Sequence, residues 1–438
     1  MDISNTELRP LDLKGADRSE PQLSLMLHKY LSHENTCDKT VKQETGPIQE
    51  SQTPDCLTVE LGDHTMANRG RTLDPEVFSI KDLKDKASKN LPKMYREYFN
   101  EGAMDMITLR DNEAAFDRYR IRPRILRNVS TIDTSTTIWG SKVLFPFGFS
   151  PAAMHRLAHP EGEAGTSRAC AALNVAMGLS AYSTDSLEDV IKQSEGRTNP
   201  YAMQVSLLKS QDLTVRLLKR AEQAGYKAIL LTVDAPMLGR RLNEFRNSFS
   251  MPKGTSYPNI APGIDMSNLE GGDNELAYEN GVNWDEAISF VKRHTTLELW
   301  IKGIYTAEDV VTAIHYGLDG VVISNHGGRQ LDSVPATLDA LRECAPVAKG
   351  KLKIAIDGGI RRGTDIFKAL ALGADFCFAG RIPIWGLAYN GQKGVELAIQ
   401  LLYDEFKLTM GLAGCKTISE INRGHLSILE SNGVLSKL

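Results

Sequence analysis

Ser324-Asn325-His326-Gly327-Gly328-Arg329-Gln330-Leu331-Asp332 is the stretch around which this chain is organised. It follows Gly320-Val321-Val322-Ile323, an apolar and mostly β-branched run that predicts a short buried strand. The paired glycines allow a tight turn and a close approach of the backbone to a ligand. His326 can carry a proton near neutral pH, and Arg329 offers a fork of donors that suits a carboxylate or phosphate. This combination predicts catalysis on an acid, in preference to a plain strand-to-helix turn with a capping histidine.

The same kind of unit, an apolar strand followed by a polar loop and an amphipathic helix, repeats eight times. The strands are predicted at 143–150, 176–181, 202–206, 228–233, 299–303, 320–324, 353–357 and 375–379. Eight such units in line predict an α/β protein built as a (β/α)8 TIM barrel. A doubly wound open sheet is the alternative. We favour the barrel because polar residues recur at the carboxyl end of every strand, and a barrel brings those ends to one mouth.

A cap of helices and a hairpin is predicted in front of the barrel, whose domain is expected to span residues 76–426. Helical periodicity runs from Ile80 to about Asn100 and again from Met106 to Phe116. The alternating segment 119–126 and the β-prone segment 136–139 together suggest a hairpin that plugs one end of the barrel.

Three segments fall outside the repeating pattern. Residues 1–75 are polar and lack sustained periodicity, so we expect a disordered N-terminal tail, and residues 427–438 are expected to be a C-terminal tail. Residues 240–283, after the fourth strand, form a long loop rich in Gly, Pro, Asn and Asp. A lid over the barrel mouth is the favoured interpretation of this loop, and a loose insertion is the alternative.

Composition excludes several classes of function. The formal net charge of -4 gives no electrostatic attraction to nucleic acid or to an anionic membrane. No apolar run reaches the roughly 18–20 residues that a membrane-spanning helix needs. The six cysteines lack CxxC spacing, which indicates reduced intracellular thiols, and no metal site is expected.

Basic and glycine residues follow several of the predicted strands. Asp234, Arg241 and Lys302 follow strands four and five. Strands seven and eight are followed by Asp357-Gly358-Gly359-Ile360-Arg361 and by Gly380-Arg381, a pattern that fits the phosphate site many barrels place there. A phosphate grip beside a lysine and a histidine favours a phosphorylated cofactor, and no GxGxxG fingerprint of a dinucleotide fold is present.

The nonapeptide 324–332 resembles the active-site signature of the FMN-dependent α-hydroxy acid oxidases and dehydrogenases, and the resemblance extends over roughly residues 75–426. Glycolate oxidase, lactate oxidase and the flavin domain of flavocytochrome b2 belong to that family. The resemblance implies an FMN cofactor and oxidation of an (S)-2-hydroxy acid to a 2-oxo acid. It also implies that oxygen or another acceptor reoxidises the flavin, and that the chain forms a homotetramer.

The resemblance also implies roles for individual residues. His326 is similar to the family's catalytic base, and Asp234 to the carboxylate that orients it. Tyr98, Arg241 and Arg329 match positions that bind the substrate. The positions that match cofactor-binding residues are Ala153, Ser180, Gln204, Thr232, Lys302, Ser324, Asp357, Gly359, Arg361, Gly380 and Arg381.

Two residues depart from the family pattern. Ser206 stands where the family commonly has a tyrosine, and Tyr182 where plant glycolate oxidase has a tryptophan. The shorter serine enlarges the expected pocket, so a larger or apolar 2-hydroxy acid is favoured over glycolate.

Other functions and two locations stay open from the sequence. A flavin-free barrel lyase or isomerase acting on a phosphorylated acid would keep the phosphate loops. A binding barrel without turnover is disfavoured by the intact set of His326, Asp234, Arg241 and Arg329. Ser436-Lys437-Leu438 predicts import into the peroxisome, and the cytoplasm is the alternative location.

Overall fold

The computed structural model describes residues 72–268, 275–430 and 432–438. The predicted N-terminal tail, residues 1–75, therefore lies almost wholly outside the described residues.

Three helices precede the barrel, α1 (Ile80–Asn90), α2 (Lys93–Asn100) and α3 (Ile107–Arg118). The Ser79 hydroxyl accepts the backbone N–H of Asp82 and so caps the start of α1. Leu83 and Ala87, four residues apart, are fully buried, which confirms the predicted helical face. The predicted helix to Asn100 is broken at Pro92, whose ring disfavours a helical conformation for the residue before it.

The N-terminal hairpin forms, but between different segments from those predicted. Strand β1 (Tyr119–Ile121) pairs with the C-terminal strand at Leu426–Ile428, whereas β2 (Thr136–Ile138) pairs with β3 (Ser141–Val143). Trp139 and Gly140 form a two-residue turn with φ of 47° and 70°, which is the geometry that closes a hairpin locally. A partner ten or more residues away is therefore not needed for β2.

Eight parallel strands close into a barrel in the order β10-β11-β4-β5-β6-β7-β8-β9, and this confirms the predicted fold. The strands are β4 (Phe147–Phe149), β5 (Ala176–Leu179), β6 (Tyr201–Val205), β7 (Ala228–Thr232), β8 (Glu298–Ile304), β9 (Gly320–Ile323), β10 (Lys353–Ile356) and β11 (Phe376–Ala379). The helices outside them are α4 (Gly162–Leu173), α5 (Leu187–Lys192), α6 (Gln211–Ala224), α7 (Leu242–Arg246), α8 (Trp284–His294), α9 (Ala307–His315), α10 (Thr337–Ala348), α11 (Gly363–Leu372) and α12 (Arg381–Ala413). No helix in these described ranges combines the length and the apolar character needed to cross a bilayer.

The β2–β3 hairpin, and not the predicted pair of segments 119–126 and 136–139, plugs the amino-terminal end of the barrel. Trp139 is buried inside the ring of strands, where it stacks on Phe378 at 5.6 Å between ring centroids and meets Trp300 edge-on at 6.3 Å. Small residues at the starts of neighbouring strands, including Ala176 and Ala202, leave room for these rings. With this end filled, the cavity of the barrel lies at the carboxyl ends of the strands.

The long loop after β7 packs against the barrel and is not a loose insertion in its described parts. Tyr257, Ile260 and Ala261 are buried. The Asn259 side chain accepts the backbone N–H of Leu187 and donates to the hydroxyl of Ser183, which ties the loop to the neighbouring unit.

Residues 427–438, expected as a tail, instead carry strands β12 (Leu426–Leu429) and β13 (Leu435–Lys437). These strands and β1 form a three-stranded antiparallel sheet. Burial of Leu426 and Ile428 against the core supplies the physical reason for this pairing.

Candidate active site

A cavity of about 420 Å³ opens where the barrel strands end. Nearly all of the predicted site residues line it: Tyr98, Ala153, Ser180, Gln204, Thr232, Arg241, Lys302, His326, Arg329, Asp357, Gly359, Arg361, Gly380 and Arg381. The two others, Asp234 and Ser324, contact lining residues directly. The tertiary structure therefore brings the whole predicted set to one place.

His326 and Asp234 form the contact at the centre of the site. His326 Nδ1 lies 2.9 Å from Asp234 Oδ1, and the backbone N–H of His326 donates to the Ser324 hydroxyl at 3.1 Å. The backbone of His326 is left-handed, with φ of 56°, a conformation that costs a non-glycine residue on the order of 1–3 kcal/mol. With Nδ1 engaged by the carboxylate, the other ring nitrogen is the one left to meet a ligand.

The surroundings keep the His326 imidazole neutral. Burial lowers its pKa below the usual 6.5, and the nearby cations Lys302 and Arg241 lower it further, while Asp234 opposes the shift. For Asp234, burial alone would raise the pKa, but His326 and Lys302 more than offset this, and the net pKa is lowered. A neutral imidazole beside an ionised carboxylate is the state that a general base requires.

Arg241 and Arg329 converge on a single carboxylate. Arg241 Nη1 lies 3.3 Å, and Arg329 Nη2 3.6 Å, from the same Oε1 atom of Glu244. Arg329 is also held by the carbonyl oxygens of Tyr98 and Glu101 and lies 4.7 Å over the Tyr98 ring. Because two guanidinium groups already share one carboxylate oxygen, the site has the geometry to clamp the carboxylate of a small acid.

Lys302 occupies a buried polar network on the barrel floor. Its Nζ donates to the Ser324 hydroxyl at 3.1 Å and lies 3.4 Å from Asp357 Oδ2, which also accepts the Ser150 hydroxyl at 2.6 Å. The second oxygen of Asp357, Oδ1, is buried and has no hydrogen-bond partner among the described residues. A buried carboxylate oxygen of this kind is costly unless a ligand supplies a donor.

Three neighbouring strands supply a row of amides and hydroxyls beside this network. Gln204 Nε2 donates to the hydroxyls of Ser206 and Thr232, and Gln204 Oε1 accepts the backbone N–H of Ala181. The Ser180 hydroxyl accepts the backbone N–H of Tyr182. These contacts fix the orientation of the Gln204 amide toward the cavity side of the sheet.

The loops after β10 and β11 bring Gly359, Arg361, Gly380 and Arg381 to the cavity, but the two arginines already have partners. Arg381 donates to the carbonyl oxygens of Phe99, Gly327 and Glu101, which joins the N-terminal cap to the His326 loop. Arg361 donates to Glu113 and to the carbonyl of Ile360, whereas its buried Nε has no partner in the described chain. The predicted phosphate roles of these arginines stay predictions.

Positive charge is concentrated at this mouth. Burial, together with the neighbouring Arg241, lowers the pKa of Arg329 to about 10. Burial, with Arg329 and Arg361, lowers the pKa of Arg381 to about 9. Each group is still protonated at neutral pH, so the cations repel one another. An anion between them relieves this repulsion, as Glu244 does between Arg241 and Arg329.

Sequence reasoning missed several residues that build the site. The Gln330 side chain accepts hydrogen bonds from the backbone N–H of Gly239 and from Arg241. It donates to the backbone carbonyls of Asp234 and Met237. Gln330 therefore helps to position both Asp234 and Arg241. Asn112 exchanges hydrogen bonds with Asn325, next to the base. Gln330 and Asn325 stand inside the quoted nonapeptide and could have been singled out, whereas Asn112 lies about 200 residues away with no local signal.

The chain is similar to known proteins over most of its length. A family model described as FMN-dependent dehydrogenase matches residues 87–428. Oxidase FUB9 of Fusarium oxysporum f. sp. lycopersici is 59% identical over 366 residues, covering 83% of this chain and 95% of that protein. Glycolate oxidase of Spinacia oleracea is 41% identical and covers 80% of this chain and 96% of its own length. A crystal structure of mandelate oxidase superposes with a TM-score of 0.72 at 33% identity, covering 80% of this chain and 99% of that one.

The barrel and its cationic mouth, together with these similarities, define a flavin-dependent oxidoreductase that acts on CH–OH donors. The chain belongs to the FMN-dependent dehydrogenase family, and FMN is its cofactor. The cavity fits this cofactor, because the unpartnered Asp357 Oδ1 and Arg361 Nε can pair with its hydroxyls and phosphate. The flavin-free lyase or isomerase is therefore set aside, and the predicted FMN cofactor is confirmed.

Gly359→Ala is expected to remove bound FMN. Gly359 has φ of +82°, and a Cβ there would lie 1.9 Å from the carbonyl oxygen of Asn112, so the loop must move away from α3. Gly350, with φ of +73°, has nothing within 4 Å of the position that a Cβ would take, and it provides the matched control. Both alanine variants carry the left-handed cost of about 1–2 kcal/mol, and only Gly359→Ala adds the clash. Flavin absorbance per protein measures the difference, and equal flavin content in the two variants would contradict this account.

Proposed function

We propose that this protein oxidises an (S)-2-hydroxy acid with a bulky apolar substituent to the corresponding 2-oxo acid, with oxygen as the final electron acceptor. The proposal rests chiefly on the convergence of Arg241 and Arg329 on one carboxylate oxygen, next to the His326–Asp234 pair. Oxygen is favoured as the acceptor because the similar proteins are named as oxidases.

In the proposed mechanism the Glu244 carboxylate stands in for the substrate carboxylate. The substrate displaces it and is held by the two guanidinium groups, with the Tyr98 ring beneath Arg329. His326 takes the proton that leaves the substrate, and the Asp234 carboxylate stabilises the imidazolium that forms. When bound, FMN supplies the acceptor for the two electrons and for the second hydrogen of the substrate.

The residues proposed to hold FMN divide into three groups. Ala153, Ser180, Gln204, Thr232 and Lys302 would surround the ring, with Ser324 fixing the lysine ammonium. Asp357 would accept from the ribityl hydroxyls. Gly359, Arg361, Gly380 and Arg381 would hold the phosphate. A lysine ammonium beside the ring favours negative charge on it.

Aromatic side chains around the mouth support a bulky substituent on the substrate. Tyr98 and Phe249 stack at 4.6 Å between centroids, and the Tyr182 ring meets Tyr257 at 5.5 Å and Tyr278 at 6.0 Å. Ser206 adds space to the same cavity. A structural neighbour, 32% identical with a TM-score of 0.72, is mandelate oxidase in a crystal structure with benzoyl-formic acid.

The proposal is tested by mixing the purified yellow protein, without oxygen, with a panel of (S)-2-hydroxy acids that runs from glycolate to aryl and branched-alkyl acids. Loss of the flavin colour with the larger acids, and its return with hydrogen peroxide on admission of air, is the expected result. No loss of colour with any acid would overturn the proposal.

His326→Ala is expected to slow the loss of flavin colour about 10²- to 10⁴-fold while FMN stays bound, because its proposed role is proton transfer. Asp234→Asn should have an effect in the same range, since the imidazolium loses its buried counter-charge. His315→Ala, at an exposed position on α9, serves as the control and should react at the wild-type rate. Stopped-flow absorbance measures all three variants.

The pH dependence of kcat/KM should show an acid limb below pH 6.5. The base must be neutral, and burial lowers the pKa of His326 below that value, so activity falls only when the pH drops through this lowered pKa. In Asp234→Asn the limb should move to still lower pH, because the carboxylate that raises the pKa is gone. An acid limb above pH 6.5 in the wild-type protein would contradict the neutral-base assignment.

Peroxisomal import is a further part of the proposal. Its support is the tripeptide Ser436-Lys437-Leu438, an import signal when it ends a chain, and a 40% identical relative named peroxisomal (S)-2-hydroxyacid oxidase GLO4 of Arabidopsis thaliana. An N-terminal fluorescent fusion should enter peroxisomes, and the same fusion lacking Leu438 should stay in the cytoplasm. Identical distributions of the two fusions would contradict it.

The homotetramer expected from the resemblance stays a prediction.

A further inference from the structure

Ser206, directly after β6, puts a short side chain where a tyrosine would extend its hydroxyl into the cavity. The serine side chain is buried and accepts a hydrogen bond from Gln204 Nε2 at 3.2 Å, so its oxygen stays close to the strand. A serine hydroxyl lies one bond beyond Cβ, whereas a tyrosine hydroxyl lies on the far side of a ring. The Ser206 hydroxyl therefore reaches less far over the substrate space than a tyrosine hydroxyl would.

The end of the long loop runs beside the chain that follows Ser206. Leu208 and Tyr278 form an antiparallel bridge. The backbone N–H of Lys209 donates to the Ala277 carbonyl at 2.9 Å, and that of Glu279 donates to the Leu207 carbonyl at 2.9 Å. Tyr278 is thus fixed opposite a residue only two positions beyond Ser206, and its side chain lines the same cavity as Ser206 and His326.

The Tyr278 hydroxyl is protonated and lies among the groups proposed to handle the substrate. Burial raises the pKa of Tyr278, although a hydrogen bond from Tyr182 and the charge of Arg241 oppose the rise. The charge of Asp234 raises the pKa of Tyr278 further. Tyr278 lines the same cavity as Arg241 and Arg329, the proposed carboxylate clamp, and as His326, the proposed base.

We propose that Tyr278 contacts the substrate, and that its hydroxyl donates a hydrogen bond to the 2-oxygen of the hydroxy acid. This hydroxyl, delivered by the loop rather than by β6, takes the place of the one that Ser206 lacks. The inference rests on the proposed function. It makes recognition of the 2-oxygen depend on the pairing of the loop with the chain after β6, so the loop contributes to specificity.

Tyr278→Phe, which removes only the hydroxyl, tests the inference. With the best acid from the panel, kcat/KM should fall about 3- to 10-fold, the effect of one hydrogen bond. Binding of the 2-oxo product, followed by flavin absorbance, should weaken by a similar factor. Binding of the matching carboxylic acid that lacks the 2-oxygen should not change, because that acid offers Tyr278 nothing to bond.

Tyr305→Phe is the matched control, since Tyr305 is partly buried and close to Asp234 but does not line this cavity. It should leave all three measurements unchanged. The inference is overturned if Tyr278→Phe behaves like wild type toward the hydroxy acid, if it weakens both carboxylates equally, or if it loses FMN. The wild-type protein tests the proposed function separately. If it still loses its colour with the acid, the proposed function stands whatever the result for Tyr278→Phe. If it does not react, the proposed function itself has failed.

Discussion

The contact between His326 and Asp234 is the interaction that holds the site together. It joins the loop after β9 to the loop after β7, with His326 Nδ1 2.9 Å from Asp234 Oδ1. The histidine backbone is held in a left-handed conformation, which persists only when surrounding contacts over-determine it. The arrangement places a neutral imidazole beside an ionised carboxylate before any ligand arrives. Because the Asp234 side chain is only 5% exposed, water weakens their interaction little.

Many of the contacts that hold the His326 loop come from residues outside the barrel. The carbonyl of Gly328 accepts the backbone N–H of Ala103, and the Asp332 carboxylate accepts backbone N–H groups at the start of α3. Arg381 adds three hydrogen bonds to backbone carbonyls of the cap and of the His326 loop. The helical cap is therefore a structural part of the candidate site, because it holds the loop that carries His326.

Excess positive charge explains why this mouth suits an anionic cofactor and an anionic substrate together. Five cations share this space: Arg241, Arg329, Arg361, Arg381 and Lys302. The four carboxylates of the described chain that contact them or His326, those of Glu113, Asp234, Glu244 and Asp357, balance only part of their charge. Repulsion among these cations raises the free energy of the site before an anion binds. A bound anion relieves the repulsion, so anions bind more tightly. Glu244, between the two clamping arginines, shows how a carboxylate relieves that repulsion.

Local sequence pattern was sufficient to predict the architecture and most of the site. Hydrophobic periodicity is a local property, so the eight barrel strands could be predicted within a few residues. Strand-end residues such as Lys302 and Asp357 then had to meet at one mouth. Contacts between residues distant in sequence became known only from the folded chain. These include Asn112 beside Asn325, β1 beside β12, and Tyr278 opposite the chain after Ser206. Local pattern has no means of specifying such pairs, because long loops and chain ends acquire their positions only from the surfaces on which they pack.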